Sequence, residues 1–289
     1  MMPKVNFYVK MQIKNIELIV LLLFTARSAS TNEKCDECGQ SRHLSKRIVG
    51  GERAAIEKFP WMVELRPRLE SIACGGALIN RCFVLTAAHC FKWEPDKEII
   101  ITLGTDQYLY TKATVRKAVE KIRFPTYNHT AHHDDIMLVR LNESVNYNED
   151  IQPICLPDPS YNYTGEIAMV MGFGVQSYRG LASKTLRAVD LEVVSHIQCQ
   201  KIFKPIEILP TNLCAGGEEG KDACQGDSGS PLVVNHNGHY SIIGIVSWGT
   251  HCAQKGFPGV YTRVSAYLSW IKNITRQYQE CCSVEIVHN

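Results

Sequence analysis

The sequence predicts an all-β protein, a sandwich or a barrel, that ends in a single helix. Short runs rich in β-branched and aromatic residues recur along most of the chain between Gly, Pro and Asn, the pattern of many short strands joined by turns. Only near the C-terminus do apolar residues fall at helical spacing. The 289 residues are 45% hydrophobic and 21% charged. That balance supports a large core and excludes collagen, coiled-coil and multi-span membrane chains. The formal charge is only +2, so no basic field invites nucleic acid.

Taken in order, Lys4, Lys10 and Lys14 precede an apolar run from Leu18 to Phe24, with Ala26, Ser28, Ala29 and Ser30 behind it. This is the layout of a secretory signal over residues 1–30, starting at Met1 or at Met11. Glu17 and Arg27 bound the run, leaving it shorter than the ~20 apolar residues of a membrane span. A membrane anchor is the lesser alternative. Residues 31–47 are polar and without periodicity, a tether or pro-peptide. Strand-like runs follow at 61–65, 77–79, 82–86, 99–103, 136–139, 168–171, 231–234 and 241–247. Val264, Tyr267, Leu268 and Ile271 then mark an amphipathic helix over 264–275. The tail, 276–289, shows no readable role.

Twelve cysteines are many for a chain held in a reducing compartment and point to an oxidising one. Asn128, Asn142, Asn162 and Asn273 each open an Asn-x-Ser/Thr triplet, available for glycosylation on the secretory route.

Three local signals carry chemistry: Leu85-Thr-Ala-Ala-His89-Cys90, Asp134-Asp135-Ile-Met-Leu-Val, and Cys224-Gln-Gly-Asp-Ser228-Gly-Ser-Pro231. A lone His beside Cys, or a lone Gly-Asp-Ser-Gly turn, is ordinarily structural. Together and in the order His, Asp, Ser, they resemble the trypsin-like, chymotrypsin-fold serine proteases. The resemblance runs from Ile48 to about Thr275 and includes Ile48-Val-Gly-Gly51, Cys74-Gly-Gly76, Ser247-Trp-Gly249 and Pro258-Gly-Val-Tyr-Thr262. It implies two six-stranded antiparallel β-barrels with the catalytic groups in the cleft between them, and a peptidase domain over 48–275.

A serine hydroxyl is a poor nucleophile at neutral pH, whereas an imidazole takes and returns a proton there. The resemblance makes Ser228 the nucleophile, His89 its base and Asp135 the carboxylate that orients the imidazole. Asp135 is preferred to Asp134 because the family places its aspartate directly before the apolar strand. Ser247 would help hold that carboxylate, and the backbone N–H groups of Gly226 and Ser228 would form the oxyanion hole.

The same resemblance makes Lys46-Arg47-Ile48 a zymogen cleavage site. Cutting after Arg47 frees the amine of Ile48, which would bury against Asp227 and order the oxyanion hole. Asp222 falls at the floor of the primary specificity pocket, with Ser247, Trp248, Gly249 and Gly259 around it, and a carboxylate there takes Arg or Lys. The implied disulfides are Cys74 with Cys90, Cys199 with Cys214, and Cys224 with Cys252. Cys155 matches the site that retains the pro-segment, with Cys38 as its partner. Cys35, Cys82, Cys281 and Cys282 are left with three intramolecular pairings, none preferred.

Two departures from the family stand out. Ser230 replaces the usual glycine near the oxyanion region, a change that allows a reduced rate without inactivation. Thr105 stands where trypsins carry calcium-binding acids, so no structural calcium is expected. His129, His132, His133 and Asp134 read as a loop beside the cleft rather than a metal centre, and no cofactor is expected.

The sequence thus describes a secreted serine endopeptidase zymogen that cuts after Arg or Lys. Its expected partners are protein or peptide substrates, a trypsin-like activator and protein inhibitors. A cascade role is favoured over digestion by the retained light peptide and the glycosylation sites. The rivals are a binding protein on the same fold that has lost catalysis, against which the intact triad argues, and a membrane-tethered surface protein. No clip-type domain fits before Arg47, where the segment is short and holds two cysteines.

Overall fold

Alternating side chains along six strands close the first half of the protein into a barrel. They are β1 (Met62–Pro67), β2 (Cys74–Leu78), β3 (Phe83–Thr86), β4 (Ile99–Leu103), β5 (Thr114–Arg123) and β6 (Met137–Leu141). The computed structural model describes residues 12–13, 16–17, 38–41, 52–67, 73–91, 98–108, 113–175, 180–250, 252–278, 281, 284 and 286. The strand order is β1-β2-β3-β6-β5-β4, antiparallel throughout, and β4 returns to pair with β1. Val63, Leu65, Leu78, Val84, Ile101 and Met137 fill its interior.

The second half repeats the plan with β7 (Ile167–Gly172), β8 (Arg187–Val194), β9 (Asn212–Ala215), β10 (Pro231–His236), β11 (His239–Trp248) and β12 (Gly259–Arg263). Pairing runs β7-β8-β9-β12-β11-β10 and back to β7, so both barrels have the same connectivity. The short strand Glu52–Arg53 adds to the edge of β8. Val170, Leu191, Leu213, Leu232 and Ile243 fill this interior.

A third apolar cluster joins the two barrels. It takes Trp61, Phe83, Leu85 and Leu138 from the first, Met171, Ile242 and Ile245 from the second, and Tyr267 and Ile271 from the C-terminal helix. Strands buried on both faces read as continuous apolar runs, which explains why Phe83–Thr86 is buried at every position. Each fully buried large side chain contributes about 1.5–3 kcal/mol of transfer free energy, so this seam fixes the barrels against each other.

The C-terminal element begins as a 3-10 turn, Val264–Tyr267, before becoming the helix α2 (Leu268–Thr275). Its buried residues Leu268, Ile271 and Thr275 lie on one face. A second helix, α1 (His196–Phe203), escaped the periodicity reading; its N-terminus is capped by Ser195 Oγ, which accepts from Gln198 N–H. β5, β8, β9 and β12 also exceed the strand-like runs read from sequence. In the N-terminal unit, Gln12–Ile13 pairs antiparallel with Ile16–Glu17. The rest of the expected signal segment, with Cys35, Arg47, Ile48 and Cys282, lies outside the described residues.

Candidate active site

β3 ends at Thr86 and passes into a 3-10 turn, Ala88–Phe91, that carries His89. The Cys74–Cys90 disulfide pins this turn to the start of β2. Asp135, fully buried, stands just before β6. His89 Nδ1 lies 2.7 Å from Asp135 Oδ2, and the His89 backbone N–H donates to Oδ1 at 2.8 Å. Ser247 Oγ donates to Oδ2 at 2.5 Å, and Thr262 Oγ1 donates to the Asp135 carbonyl at 2.8 Å. Burial works against this carboxylate, but the hydrogen bonds and charge of His89, with Ser247, outweigh it and hold the group below the ordinary carboxylate range. An ionised carboxylate only accepts, so it fixes the proton on Nδ1 and leaves the Nε2 lone pair for the cleft. Asp134 faces elsewhere: it accepts from Thr126 Oγ1 and Tyr267 OH.

Ser228 is placed through its backbone. Its carbonyl accepts from Gly75 N–H at 2.8 Å, and Gly229 N–H donates to Val246 O at 2.9 Å. Gly229 has φ +78°, and a Cβ there would lie 2.3 Å from Thr86 Oγ1. The serine turn is therefore packed onto the end of the strand that leads into His89, which only glycine allows. Gly226, in the same turn, has φ +93° and lies against Gly174. The departure at Ser230 is fully buried, its Oγ wedged between Gly75 and Gly172.

Beside Ser228 opens a cavity of about 190 Å³ lined by Asp222, Ser247, Trp248, Gly249 and Gly259. The Asp222 carboxylate accepts from Ala223 N–H at 2.8 Å and Ala253 N–H at 3.1 Å. The Cys224–Cys252 disulfide ties these two segments together. A Cβ on Gly259 would come within 3.0 Å of Asp222 Oδ1, and one on Gly249 would meet nothing within 4 Å, so neither wall position obstructs the cavity. Burial pushes Asp222 up to about 6, against the pull of its backbone donors, with Asp227 adding to the rise.

A second cavity, of about 180 Å³, opens on Asp227. Its carboxylate accepts from Gly174 N–H at 2.8 Å and Cys224 N–H at 2.9 Å. Burial raises it to about 6 as well. Side chains at 172 or 174 would collide with this carboxylate. Arg47 and Ile48 lie outside the described residues.

Disulfides Cys199–Cys214 and Cys38–Cys155 are also present, together with Cys82–Cys281, which the sequence left open. Among the described residues no cysteine is free. Asn128, Asn142, Asn162 and Asn273 are all exposed. Two supports of the site were not assigned from sequence. Thr262 holds the Asp135 backbone, and Tyr261 sits behind Asp222, its hydroxyl raised by burial and by both neighbouring carboxylates. Both lie in the Pro258–Thr262 block, but their roles depend on partners from distant strands.

An imidazole oriented by a buried carboxylate, a serine on a glycine-flanked turn and an adjacent acid-floored cavity define a hydrolase of the acyl-transfer class. The sequence pattern of the Trypsin family matches residues 48–271. The chain belongs to that family and is a serine endopeptidase, whose substrates are proteins or peptides. It is 37% identical over 269 residues to CLIP domain-containing serine protease B9 of Anopheles gambiae, covering 84% of this chain and 66% of that one. It is 37% identical over 262 residues to the clotting factor G beta subunit of Tachypleus tridentatus, covering 84% of each. Urokinase-type plasminogen activator of Gallus gallus is 37% identical over 268 residues, 84% of this chain and 61% of that one. Among the described residues no helix is long and apolar enough to cross a membrane.

Proposed function

We propose that the chain is a secreted zymogen, cleaved after Arg47, that hydrolyses peptide bonds following Arg or Lys, with His89, Asp135 and Ser228 as its catalytic triad. The observation that carries the specificity is the Asp222 carboxylate beneath a glycine-walled cavity next to Ser228. A buried carboxylate left unpaired is costly, and a guanidinium or ammonium at the end of a long side chain neutralises it. Ser228 attacks the carbonyl while His89 Nε2 takes its proton; Asp135 stabilises the resulting imidazolium. The N–H groups of Gly226 and Ser228 then hold the oxyanion, and the imidazolium returns its proton to the leaving amine.

Asp227 supports the zymogen reading in the same terms: a carboxylate with only two backbone donors, facing a cavity, is a site for the new ammonium of Ile48. The names of two relatives, a clotting factor subunit and a plasminogen activator, favour a cascade role over digestion. The lysine-rich leader with its short apolar core, the disulfides and the exposed glycosylation triplets support secretion. The test is hydrolysis of matched peptides bearing Arg, Lys, Phe or Val before the scissile bond, using protein cleaved after Arg47. Arg and Lys substrates are expected to dominate; a preference for Phe overturns the assignment.

A further inference from the structure

The loop from β5 to β6 folds back on itself through a bridge between Asn128 and His133. At its tip His132 takes a left-handed conformation, φ +50°. Its ring stands edge-on to that of His89, the centroids 5.8 Å apart. One ligand atom each from His89, His132 and Asp135 lie within 4.8 Å of one another. Two nitrogens on a tetrahedral zinc ion at Zn–N ~2.0–2.1 Å stand about 3.4 Å apart. Holding both imidazoles on one ion therefore requires His132 to approach His89.

We propose that a divalent transition-metal ion, zinc foremost, bridges the imidazoles of His89 and His132 and reversibly inhibits the enzyme. The inference rests on the reading of His89 as the general base. Imidazole suits zinc, and a metal-bound imidazole ordinarily donates its other N–H to a carboxylate that fixes its tautomer. His89 already has this arrangement, with Nδ1 2.7 Å from Asp135. Asp135 is fully buried and occupied by His89 and Ser247, so it orients the ligand, and water completes the metal's shell. The Nε2 lone pair that accepts the serine proton is the one the metal takes, so the bound state is inactive. Two protein ligands instead of three or four make a site that releases its metal, a brake rather than a cofactor.

The test titrates zinc chloride against peptide hydrolysis by the activated full chain, beside a His132→Asn variant; asparagine tolerates the left-handed backbone. Wild-type enzyme is expected to be inhibited and fully restored by EDTA, whereas the variant keeps its peptidase activity and needs more than roughly ten times as much zinc, as loss of a metal-site partner implies. Equal zinc sensitivity of the two overturns the proposal, as does wild-type activity that zinc leaves untouched. Calorimetry of zinc on Ser228→Ala and on Ser228→Ala/His132→Asn reads the site without catalysis. Binding only to the first supports the metal site even where neither active form cleaves peptides, an outcome that fails the protease reading alone; no binding to either rejects the site.

Discussion

Ser247 Oγ and His89 Nδ1 converge on the same oxygen of Asp135, at 2.5 Å and 2.7 Å. One carboxylate oxygen therefore receives a donor from each barrel, the His89 turn lying in the first and Ser247 on β11 in the second. Asp135→Asn presents an amide that donates to Nδ1 and locks the wrong tautomer, so kcat is expected to fall by about 10⁴-fold. Ser247→Ala removes one hydrogen bond to a charged acceptor, worth ~1.5–3 kcal/mol. Its kcat loss should therefore be roughly ten- to a hundredfold. Steady-state kinetics of both variants checks the order, and a Ser247→Ala effect as large as that of Asp135→Asn would mean the serine does more than orient.

The residues proposed as the triad were legible as a set because such chemistry fixes residue types within short blocks: the turn after β3 keeps His89 beside Cys90, and Gly226 and Gly229 flank Ser228. β5 was not legible. Its exposed positions alternate Val115, Lys117 and Val119, while the facing residues are only half-buried, so no apolar run marks it. β12 lies in the Pro258–Thr262 block, too short and too closely bounded by Pro and Gly to read as a strand, although it supplies Thr262 beneath Asp135. The Cys82–Cys281 bond joins residues 199 apart in the chain; sequence spacing carries no signal over that distance.

Asp222 gives a pH dependence with a definite sign. Burial raises it to about 6, and only its ionised form attracts a cation. Benzamidine binding to Ser228→Ala protein should be full at pH 8 and about tenfold weaker at pH 5, where roughly one carboxylate in ten is charged. Because the folded pKa lies above the unfolded value, the unliganded pocket contributes stability below pH ~4 that is lost as pH rises through about 6. Benzamidine should accordingly raise Tm more at pH 8 than at pH 5. Calorimetry and thermal melts check both, and in Asp222→Ser the binding profile should lose this step along with at least ~30-fold in affinity, the cost of removing one partner of a buried charge pair.

On the proposed cleavage after Arg47, the Cys38–Cys155 bond would retain the light segment. Gly39 N–H donates to Pro153 O and Gly39 O accepts from Tyr240 N–H, so backbone pairing reinforces the covalent link. Protein cleaved after Arg47 should run as one band unreduced and as two after reduction. Arg47→Gln protein should be secreted normally, stay a single chain and show no activity. Full activity in the uncleaved variant would rule out the zymogen mechanism while leaving the triad intact.

Cys82–Cys281 ties the entry of β3 to the chain beyond α2, and Tyr278 supports the same junction. Its ring packs against Phe83 at 5.2 Å and its hydroxyl donates to Glu120 at 2.8 Å. A bond closing so long a loop restrains the unfolded chain strongly, and removing a native disulfide typically costs ~2–5 kcal/mol. Neither cysteine lines the cavity beside Ser228, so Cys82→Ala/Cys281→Ala should lower Tm by several degrees while kcat/KM at low temperature stays within about twofold, as expected for a site apart from the change. Thermal melts and initial rates on the same preparation separate the two effects. A large loss of kcat/KM with Tm unchanged would place the bond in the service of the cleft instead of the seam.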